Sequence, residues 1–296
     1  MSKTLFTGSG VAIVTPFTKD GSVNIPKLNE LIDFQIDNGT DAIIICGTTG
    51  ESATLSDEEH IQAIRAAVAH TAGRIPVIAG TGSNDTNYCI HLSEEAQELG
   101  ADGLLLVTPY YNKTTQAGLI RHFTSVADRV SIPIVLYNVP SRTGMNIAPE
   151  TYLALSKHPN IVATKEACGD FSRILQTMHL CGGDLDVYSG NDDQIVPILS
   201  LGGKGVISVL ANIMPRQTHE ICSLYAQGKT AESAAMQIEL ADLIDSLFIE
   251  VNPIPVKTAM NLMGFDVGEL RMPLAPMAEK NLETLKTSMR RHGLIG

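Results

Sequence analysis

Short runs of apolar residues recur along the chain, and each run ends near a glycine, an asparagine, a threonine or a proline. Most of these runs are apolar at consecutive positions rather than at alternate ones. That pattern is typical of strands buried on both faces of a parallel sheet. We therefore predict eight strands, at residues 11–16, 42–47, 75–82, 103–109, 132–138, 161–167, 186–190 and 205–209.

Helical patterns lie between the predicted strands. Residues 56–71 begin with Ser-Asp-Glu-Glu, which is a helix cap followed by acidic residues in the first turn, and then place isoleucine and valine at helical spacing. Similar patterns cover 84–99 and 115–130. The first six strands start about 30 residues apart, which is the size of one strand–helix unit. Eight such units close a (β/α)8 TIM barrel, and we predict that fold.

An open doubly wound sheet is the alternative fold, but that class usually has a glycine-rich loop after its first strand, where this chain has Thr15-Pro-Phe-Thr. Residues 210–296 follow the last strand and exceed what one closing helix needs. We therefore predict a barrel over residues 1–225 and a C-terminal helical extension over residues 226–296. Helical patterns in this part of the chain cover 215–228, 230–250, 255–264 and 277–292.

Composition narrows the class of protein. With 296 residues, 44% of them hydrophobic and 18% charged, the chain is expected to pack as a globular protein. A net charge of -11 without a local basic cluster argues against nucleic acid as a partner. Five widely spaced cysteines without a C-x-x-C pair suggest neither disulfides nor zinc. No apolar run approaches the length that spans a membrane. We therefore expect a cytoplasmic protein without a membrane segment.

Lys165 is the strongest single candidate for chemistry. It lies near the end of an apolar predicted strand, Ile161-Val-Ala-Thr-Lys, and catalytic groups of barrels sit at that end of the strands. Burial lowers the pKa of a lysine and makes its neutral amine a nucleophile toward carbonyl compounds. In the alternative interpretation, Lys165 reaches solvent or pairs with Glu166. The spacing alone does not choose between the two.

Three further features lie at the same end of the predicted barrel. Tyr137 is at matching depth on the preceding strand and could transfer protons, although an aromatic there is more often part of the core. The loop Gly47-Thr-Thr-Gly-Glu-Ser52 could hold a carboxylate through backbone N–H groups and hydroxyls, and alone it is a weak signal. Arg142 could bind a second carboxylate or be an ordinary surface arginine. Tyr110 and Tyr111 could pack within a loop or form an interface.

Metal-binding and nucleotide-binding motifs are absent from the sequence: there is no H-E-x-x-H, no paired His/Asp cluster and no Walker loop. We therefore expect no metal and no cofactor.

Four motifs together resemble the pyruvate-dependent class I aldolase family, also known as the N-acetylneuraminate lyase family. They are Gly47-Thr-Thr-Gly-Glu-Ser52, Val107-Thr-Pro-Tyr-Tyr-Asn112, Tyr137-Asn-Val-Pro-Ser-Arg-Thr-Gly144 and Lys165-Glu-Ala, and the similarity extends to 202–208 and 252–257. The resemblance implies a lyase that condenses pyruvate with L-aspartate 4-semialdehyde to 4-hydroxy-2,3,4,5-tetrahydrodipicolinate, on the route to diaminopimelate and lysine. It also implies a homotetramer built from two tight dimers.

The resemblance assigns roles to particular residues. Lys165 forms a Schiff base with pyruvate, and the resulting enamine attacks the aldehyde. Tyr137, Thr49 and Tyr111 form a proton relay, with Tyr111 reaching into the site of the neighbouring subunit. The remaining substrate-binding positions are Thr48 and Thr49 for the pyruvate carboxylate, Arg142 for the carboxylate of the aldehyde, Ile207 in the pocket lining, and Gly190 as a further site position.

Many members of this family bind lysine at the dimer interface and are inhibited by it. The resemblance implies a corresponding allosteric site, of which this chain keeps Ser52, Ala53, His60, Asn84 and Tyr110. It departs at two positions, with Asp57 in place of a histidine and Tyr88 in place of a glutamate. A neutral phenol cannot supply the charge that pairs with an ammonium group. We therefore expect weak or absent inhibition by lysine.

Two alternative functions remain open. A related aldolase acting on a sugar acid or on 4-hydroxy-2-oxoglutarate would share the Schiff base, but sialic-acid lyases typically lack an arginine at the position of Arg142. A barrel that binds small acids without catalysis would use Lys165 only to pair with a carboxylate, and it would form no covalent adduct.

Overall fold

A closed barrel of eight parallel strands forms the centre of the computed structural model, which describes residues 4–296; the first three residues of the predicted barrel lie outside the described part. Each strand pairs with its neighbours in chain order, and the first strand also pairs with the last. The predicted (β/α)8 barrel is confirmed, and the open doubly wound sheet is wrong. The strands are β1 (Gly8–Ala12), β2 (Ala42–Ile45), β3 (Val77–Gly80), β4 (Gly103–Val107), β5 (Ile134–Asn138), β6 (Ile161–Glu166), β7 (Asp186–Ser189) and β8 (Gly205–Ser208).

Several strands begin or end at a different residue from the one predicted. β1 begins at Gly8, three residues before its predicted start, because Gly8–Val11 pair with β8. β2 ends at Ile45 because Cys46 adopts a left-handed backbone with φ of 56°. The apolar residues that follow the strands belong instead to the loops at the carboxyl ends.

Helices cover the outside of the barrel and form the C-terminal extension. The helix cap predicted from Ser-Asp-Glu-Glu is confirmed, and it is a reciprocal capping box: Ser56 Oγ accepts from the Glu59 N–H at 3.2 Å, and Glu59 Oε2 accepts from the Ser56 N–H at 2.9 Å. The helices are α1 (Ile25–Asp37), α2 (Asp57–Thr71), α3 (Thr86–Glu98), α4 (Gln116–Ala127), α5 (Pro140–Thr143), α6 (Pro149–Leu155), α7 (Phe171–Cys181), α8 (Ile195–Ser200), α9 (Pro215–Ala226), α10 (Thr230–Glu239), α11 (Ala241–Leu247), α12 (Ile254–Leu262) and α13 (Glu279–Arg291).

The single helix predicted over 230–250 is wrong, because the structure has α10 and α11 with a break at Leu240. Leu240 leaves the helical backbone conformation, with φ of -87° and ψ of 2°. The break lets the two halves bury different faces: α10 packs against α8 and α9, and α11 packs mainly against α13. Neither glycine nor proline marks this position, so the pattern of the sequence alone could not place it.

Two layers of apolar side chains position the site. One fills the barrel interior and includes Ile44, Leu105 and Tyr188, and the larger one lies between strands and helices. Phe6 stacks on Tyr188 with ring centroids 4.4 Å apart, and the Tyr188 hydroxyl donates to the Phe6 carbonyl at 2.6 Å. Phe6 precedes β1, so this pair closes the amino end of the barrel and leaves the carboxyl end for chemistry. Within residues 4–296, every helix is too short or too polar to cross a membrane.

Candidate active site

Lys165 lies near the carboxyl end of β6, inside the barrel. The strand register places it beside Tyr137 of β5 and Tyr188 of β7. Its side chain is nearly buried, with the residue 5% exposed, and its Nζ lies 4.4 Å from the centroid of the Tyr137 ring. Burial lowers the pKa of Lys165 to about 8, the charge of Asp192 opposes that shift, and Arg142 adds to it. A usable fraction of the amine is therefore neutral near physiological pH.

Glu166 follows Lys165 directly but points to the other face of the strand, as successive strand residues do. Its carboxylate accepts hydrogen bonds from Asn138 Nδ2 at 2.9 Å, from the Tyr152 hydroxyl at 2.8 Å and from the Cys168 N–H at 2.9 Å. These three donors satisfy the carboxylate outside the barrel. Lys165 therefore neither reaches solvent nor pairs with Glu166, as the alternative interpretation required.

Asp192 is the acidic group whose charge acts on Lys165, and sequence reasoning missed it. It is buried just after β7, where its Oδ2 accepts from the N–H groups of Val209 and Leu210 at 3.0 and 2.9 Å. Its Oδ1 has no hydrogen-bond partner among the described residues. Burial raises the pKa of Asp192, and the positive charge of Lys165 is one of the effects that oppose this. Its place in the loop after β7, at the carboxyl end of the barrel, is the signal that could have found it.

The two threonines of the loop after β2 have different partners. Burial raises the pKa of Tyr137, while the charge of Arg142 and a hydrogen bond with the Thr48 side chain oppose the increase. Thr49 is buried, and its Oγ1 accepts from Asn252 Nδ2 at 3.0 Å. Thr48 is thus the threonine whose side chain acts on the pKa of Tyr137, and Thr49 is bound to Asn252, whereas the resemblance placed Thr49 in the relay.

A buried ion pair fixes this threonine loop. Glu51 has a left-handed backbone with φ of 53°, and its carboxylate accepts from Lys257 Nζ at 2.7 Å, with both side chains 1% exposed. Lys257 Nζ also donates to the Glu269 carbonyl at 2.9 Å, and the Arg271 N–H donates to Glu51 Oε2 at 3.0 Å. Burial lowers the pKa of Lys257, and Glu51 opposes that change. The C-terminal extension thus reaches into the site, which the helical pattern of that segment did not indicate.

Arg142 stands at the rim of the site on α5, exposed to solvent. Its Nη2 donates to the Asn252 carbonyl at 3.1 Å. Arg142, Thr48, Val139 and Asn252 contribute to the lining of a cavity of about 470 Å³. A carboxylate in this cavity would meet a guanidinium whose planar donors suit it.

Gly190 and Ile207 lie close to the candidate nucleophile. The Gly190 N–H donates to the Glu166 carbonyl at 2.7 Å, and a Cβ at this position would lie 2.8 Å from Ala167 Cβ and 3.2 Å from Lys165 Cγ. Only glycine therefore fits without moving the stem of Lys165. Ile207 is completely buried in the barrel interior, in the same cluster as Tyr137.

Tyr111 does not join the other site residues within one chain. It is 92% exposed, and its backbone is left-handed with φ of 67°, which is uncommon for a bulky side chain. Lys113, two residues later, is left-handed as well, with φ of 51°. The loop thus projects the Tyr111 ring outward, away from the buried Lys165.

Most of the positions that the resemblance assigns to a lysine site line two separate cavities. His60 is buried, its Nε2 lies 2.8 Å from the Gly80 carbonyl, and burial lowers its pKa. The Tyr88 hydroxyl donates to Asp57 Oδ1 at 3.1 Å. Asn84 lies in a different surface cavity, where its carbonyl accepts from Asn112. The cavity that contains Arg142 is also lined by Ser52, Ala53, His60, Tyr88 and Tyr110.

The arrangement suits a small carbonyl compound that carries a carboxylate. A partly neutral amine lies over the Tyr137 ring and is affected by the charge of Asp192, while the Thr48 hydroxyl and the Arg142 guanidinium line a cavity at the same end of the barrel. No three His, Cys, Asp or Glu side chains within residues 4–296 are grouped so as to hold a metal ion.

Comparisons with known proteins agree with the resemblance. The model of the dihydrodipicolinate synthetase family matches residues 5–292. A 4-hydroxy-tetrahydrodipicolinate synthase from Thermoanaerobacter sp. (strain X514) is 59% identical over 292 residues, 98% of each chain. The dihydrodipicolinate synthase structure from Aquifex aeolicus is 47% identical, with a TM-score of 0.95 over 98% of this chain and 99% of that one. The chloride-inhibited dihydrodipicolinate synthase from Acinetobacter baumannii, solved with pyruvate, is 43% identical, with a TM-score of 0.96 over 99% and 100%. With a family match over nearly its whole length, this chain belongs to the dihydrodipicolinate synthetase family.

Proposed function

We propose that this enzyme is a lyase that condenses pyruvate with L-aspartate 4-semialdehyde to 4-hydroxy-2,3,4,5-tetrahydrodipicolinate, the first committed step toward diaminopimelate and lysine. The observation that carries the proposal is the buried Lys165, with its pKa lowered to about 8, against the ring of Tyr137. Relatives that match nearly the whole chain are named for this reaction. The proposal requires neither a metal nor a cofactor.

The chemistry begins when the neutral amine of Lys165 adds to the ketone carbon of pyruvate. The carbinolamine loses water to give a Schiff base, and loss of a methyl proton gives an enamine. The enamine carbon then attacks the aldehyde carbon of the second substrate. The amino group of that substrate closes the ring on the former ketone carbon and displaces Lys165, which returns as a free amine.

Proton transfers in this sequence are assigned to Tyr137 together with Thr48, whose side chain opposes the rise in the pKa of Tyr137. Thr48 and Thr49 hold the pyruvate carboxylate, and Gly190 and Ile207 shape the pocket around the adduct. The relay continues to Tyr111 of a neighbouring subunit. Thr49, whose Oγ1 accepts from Asn252 Nδ2, is assigned here to the carboxylate rather than to the relay.

Reductive trapping tests the reaction directly. The protein is incubated with pyruvate and borohydride, its intact mass is measured and the modified peptide is mapped. A pyruvate adduct on Lys165 that aspartate semialdehyde discharges before reduction is the expected result. An adduct that the aldehyde does not discharge would redirect the assignment to sugar-acid or 4-hydroxy-2-oxoglutarate aldolases. A protein that forms no adduct would be a small-acid-binding barrel, and the proposal would fail.

Replacing Arg142 by methionine is expected to raise KM for aspartate semialdehyde by about tenfold to a hundredfold, since charge-assisted hydrogen bonds to the carboxylate are lost. The concentration of pyruvate that half-saturates adduct formation should change much less. Initial rates over both substrates measure this. Arg173→Met is the matched control, because Arg173 also donates to a backbone carbonyl, that of Ile147, at 3.1 Å. Equal effects on both substrates would argue against a clamp specific to the aldehyde.

Millimolar lysine is expected to inhibit this enzyme weakly or not at all. Tyr88 stands where sensitive relatives have a carboxylate, and burial together with its hydrogen bond to Asp57 raises the pKa of the Tyr88 phenol to about 12, so the phenol stays neutral. Initial rates in a lysine titration check this. The Tyr88→Glu variant restores the missing charge and should become more sensitive than the parent protein. Strong inhibition of the parent would contradict the prediction.

The assembly we propose is a homotetramer of two tight dimers, in the cytoplasm. Its support within the chain is the outward Tyr111 ring, held 92% exposed on a left-handed backbone. Analytical ultracentrifugation should find a species of four chains, which at low concentration gives dimers before monomers. A monomer with full activity would rule out a role for the partner's tyrosine.

A further inference from the structure

Asn252 connects two groups that the proposed function uses to bind the two substrates. It precedes α12 in the C-terminal extension and is 6% exposed. Its side-chain Nδ2 donates to Thr49 Oγ1 at 3.0 Å, and its backbone carbonyl accepts from Arg142 Nη2 at 3.1 Å. Its side chain therefore acts on the pyruvate end of the site, whereas its backbone acts on the aldehyde end.

We propose that Asn252 is a positioning residue that directs the hydroxyl proton of Thr49 toward the pyruvate carboxylate. The inference rests on the proposed function. A hydroxyl group has one proton to donate and two lone pairs that accept. Because Asn252 supplies a donor, it occupies a lone pair of Thr49 Oγ1 and leaves the proton of Thr49 free for an anionic substrate.

The surroundings of Thr49 support a fixed orientation rather than a mobile one. Thr49 is 2% exposed, and the same loop is attached to the C-terminal extension a second time through Glu51 and Lys257. The Thr15 hydroxyl donates to the Gly50 carbonyl at 2.6 Å and fixes the loop from the side of β1. With the backbone held at these points, the hydrogen bond from Asn252 determines where the Thr49 hydroxyl can donate.

Three single variants and one double variant separate this role from a merely structural one. The pyruvate concentration that half-saturates borohydride trapping on Lys165 is measured for Asn252→Ala, Asn252→Asp and Thr49→Val, and for the double variant Asn252→Ala with Thr49→Val. Asn252→Ala should raise that concentration about tenfold, because the Thr49 hydroxyl is no longer directed. KM for the aldehyde should change less, since the backbone carbonyl still meets Arg142.

The aspartate variant gives the sharpest outcome. Aspartate has the shape of asparagine, so a structural role predicts a milder effect than that of alanine. The proposal predicts a larger effect than that of alanine. The aspartate carboxylate accepts the Thr49 proton instead of donating to Thr49 Oγ1, and the aspartate also repels the pyruvate carboxylate. The double variant should bind pyruvate no worse than Thr49→Val alone, because residues that act through one hydroxyl are not additive.

Asn261→Ala is the matched control. Asn261 lies on α12, and both of its side-chain hydrogen bonds stay inside the C-terminal extension, to the Gly268 carbonyl at 2.9 Å and from the Val267 N–H at 2.8 Å. Thermal unfolding of every variant accompanies the trapping. The proposal is overturned if Asn252→Ala raises the half-saturating pyruvate concentration no more than Asn261→Ala does, or if Asn252→Asp binds pyruvate better than Asn252→Ala. It is also overturned if the effects of Asn252→Ala and Thr49→Val add in the double variant. An unmodified parent protein would instead mean that the proposed function itself has failed.

Discussion

Replacing Lys165 by arginine is expected to abolish the pyruvate adduct and to lower the rate of condensation on the order of 10⁴-fold or more. A guanidinium stays protonated and cannot add to a ketone. Arginine nevertheless keeps a positive charge that acts on Asp192, whose Oδ1 has no hydrogen-bond partner in the described chain. The loss should therefore come from chemistry rather than from unfolding. Reductive trapping and steady-state rates measure it, with thermal unfolding as the check on the fold.

The other buried lysine of the site provides an internal control. Lys257 is 1% exposed, and burial lowers its pKa as well, but it is bound to Glu51 and to the Glu269 carbonyl. Peptide mapping of the trapped parent protein should find pyruvate on Lys165 and none on Lys257. Modification of both lysines would show that burial alone makes a lysine reactive toward pyruvate, without Tyr137 beside it and without space for the ketone.

The same amine should set the pH dependence of trapping. Because burial favours the neutral form of Lys165 and brings its pKa to about 8, the protonated form dominates below that pH and the nucleophilic form above it. The rate of adduct formation at low pyruvate should therefore increase from pH 6 to pH 9 and level off above the pKa. A rate that is constant over this range would contradict the assignment.

The fold could be predicted because its signals are local. Eight short apolar runs identify the strands of a parallel barrel, and the residues Ser-Asp-Glu-Glu identify the start of α2 without reference to the rest of the chain. The break at Leu240 could not be predicted, because it depends on which neighbours α10 and α11 pack against. Strand ends were misplaced where a residue such as Cys46 takes a left-handed backbone after an apolar run.

The site was predictable only where sheet geometry connects its residues. Tyr137 and Lys165 occupy equivalent depths on neighbouring strands, so their proximity follows from the register. The position of Asp192, whose charge acts on Lys165, does not follow from the register, because Asp192 lies in the loop after the next strand. Contacts of the C-terminal extension join residues more than 200 positions apart, Asn252 with Thr49 and Lys257 with Glu51. No periodic pattern in the sequence encodes such pairs.

Replacing Lys257 by methionine is expected to lower the free energy of unfolding by about 3–5 kcal/mol, because the carboxylate of Glu51 is left buried without its cationic partner. Methionine keeps an apolar stem against the Phe17 ring, over which Lys257 Nζ now lies 4.3 Å from the centroid. Combining it with Glu51→Gln should recover most of the loss. Glutamine carries no charge, and its carbonyl can still accept from the Arg271 N–H. Denaturant unfolding of the three variants measures these differences.

Lys157→Met is the matched control, since Lys157 pairs with Asp184 at 2.7 Å on the surface, with side chains 61% and 55% exposed, and should leave the unfolding midpoint unchanged. A double variant as unstable as Lys257→Met alone would show that the lysine acts by packing or through the Glu269 carbonyl, not through the charge of Glu51. If the pair does act through charge, the double variant regains stability while the threonine loop loses its ionic attachment. Its pyruvate affinity should then remain below that of the parent, which separates the contribution of the pair to the fold from its contribution to the site.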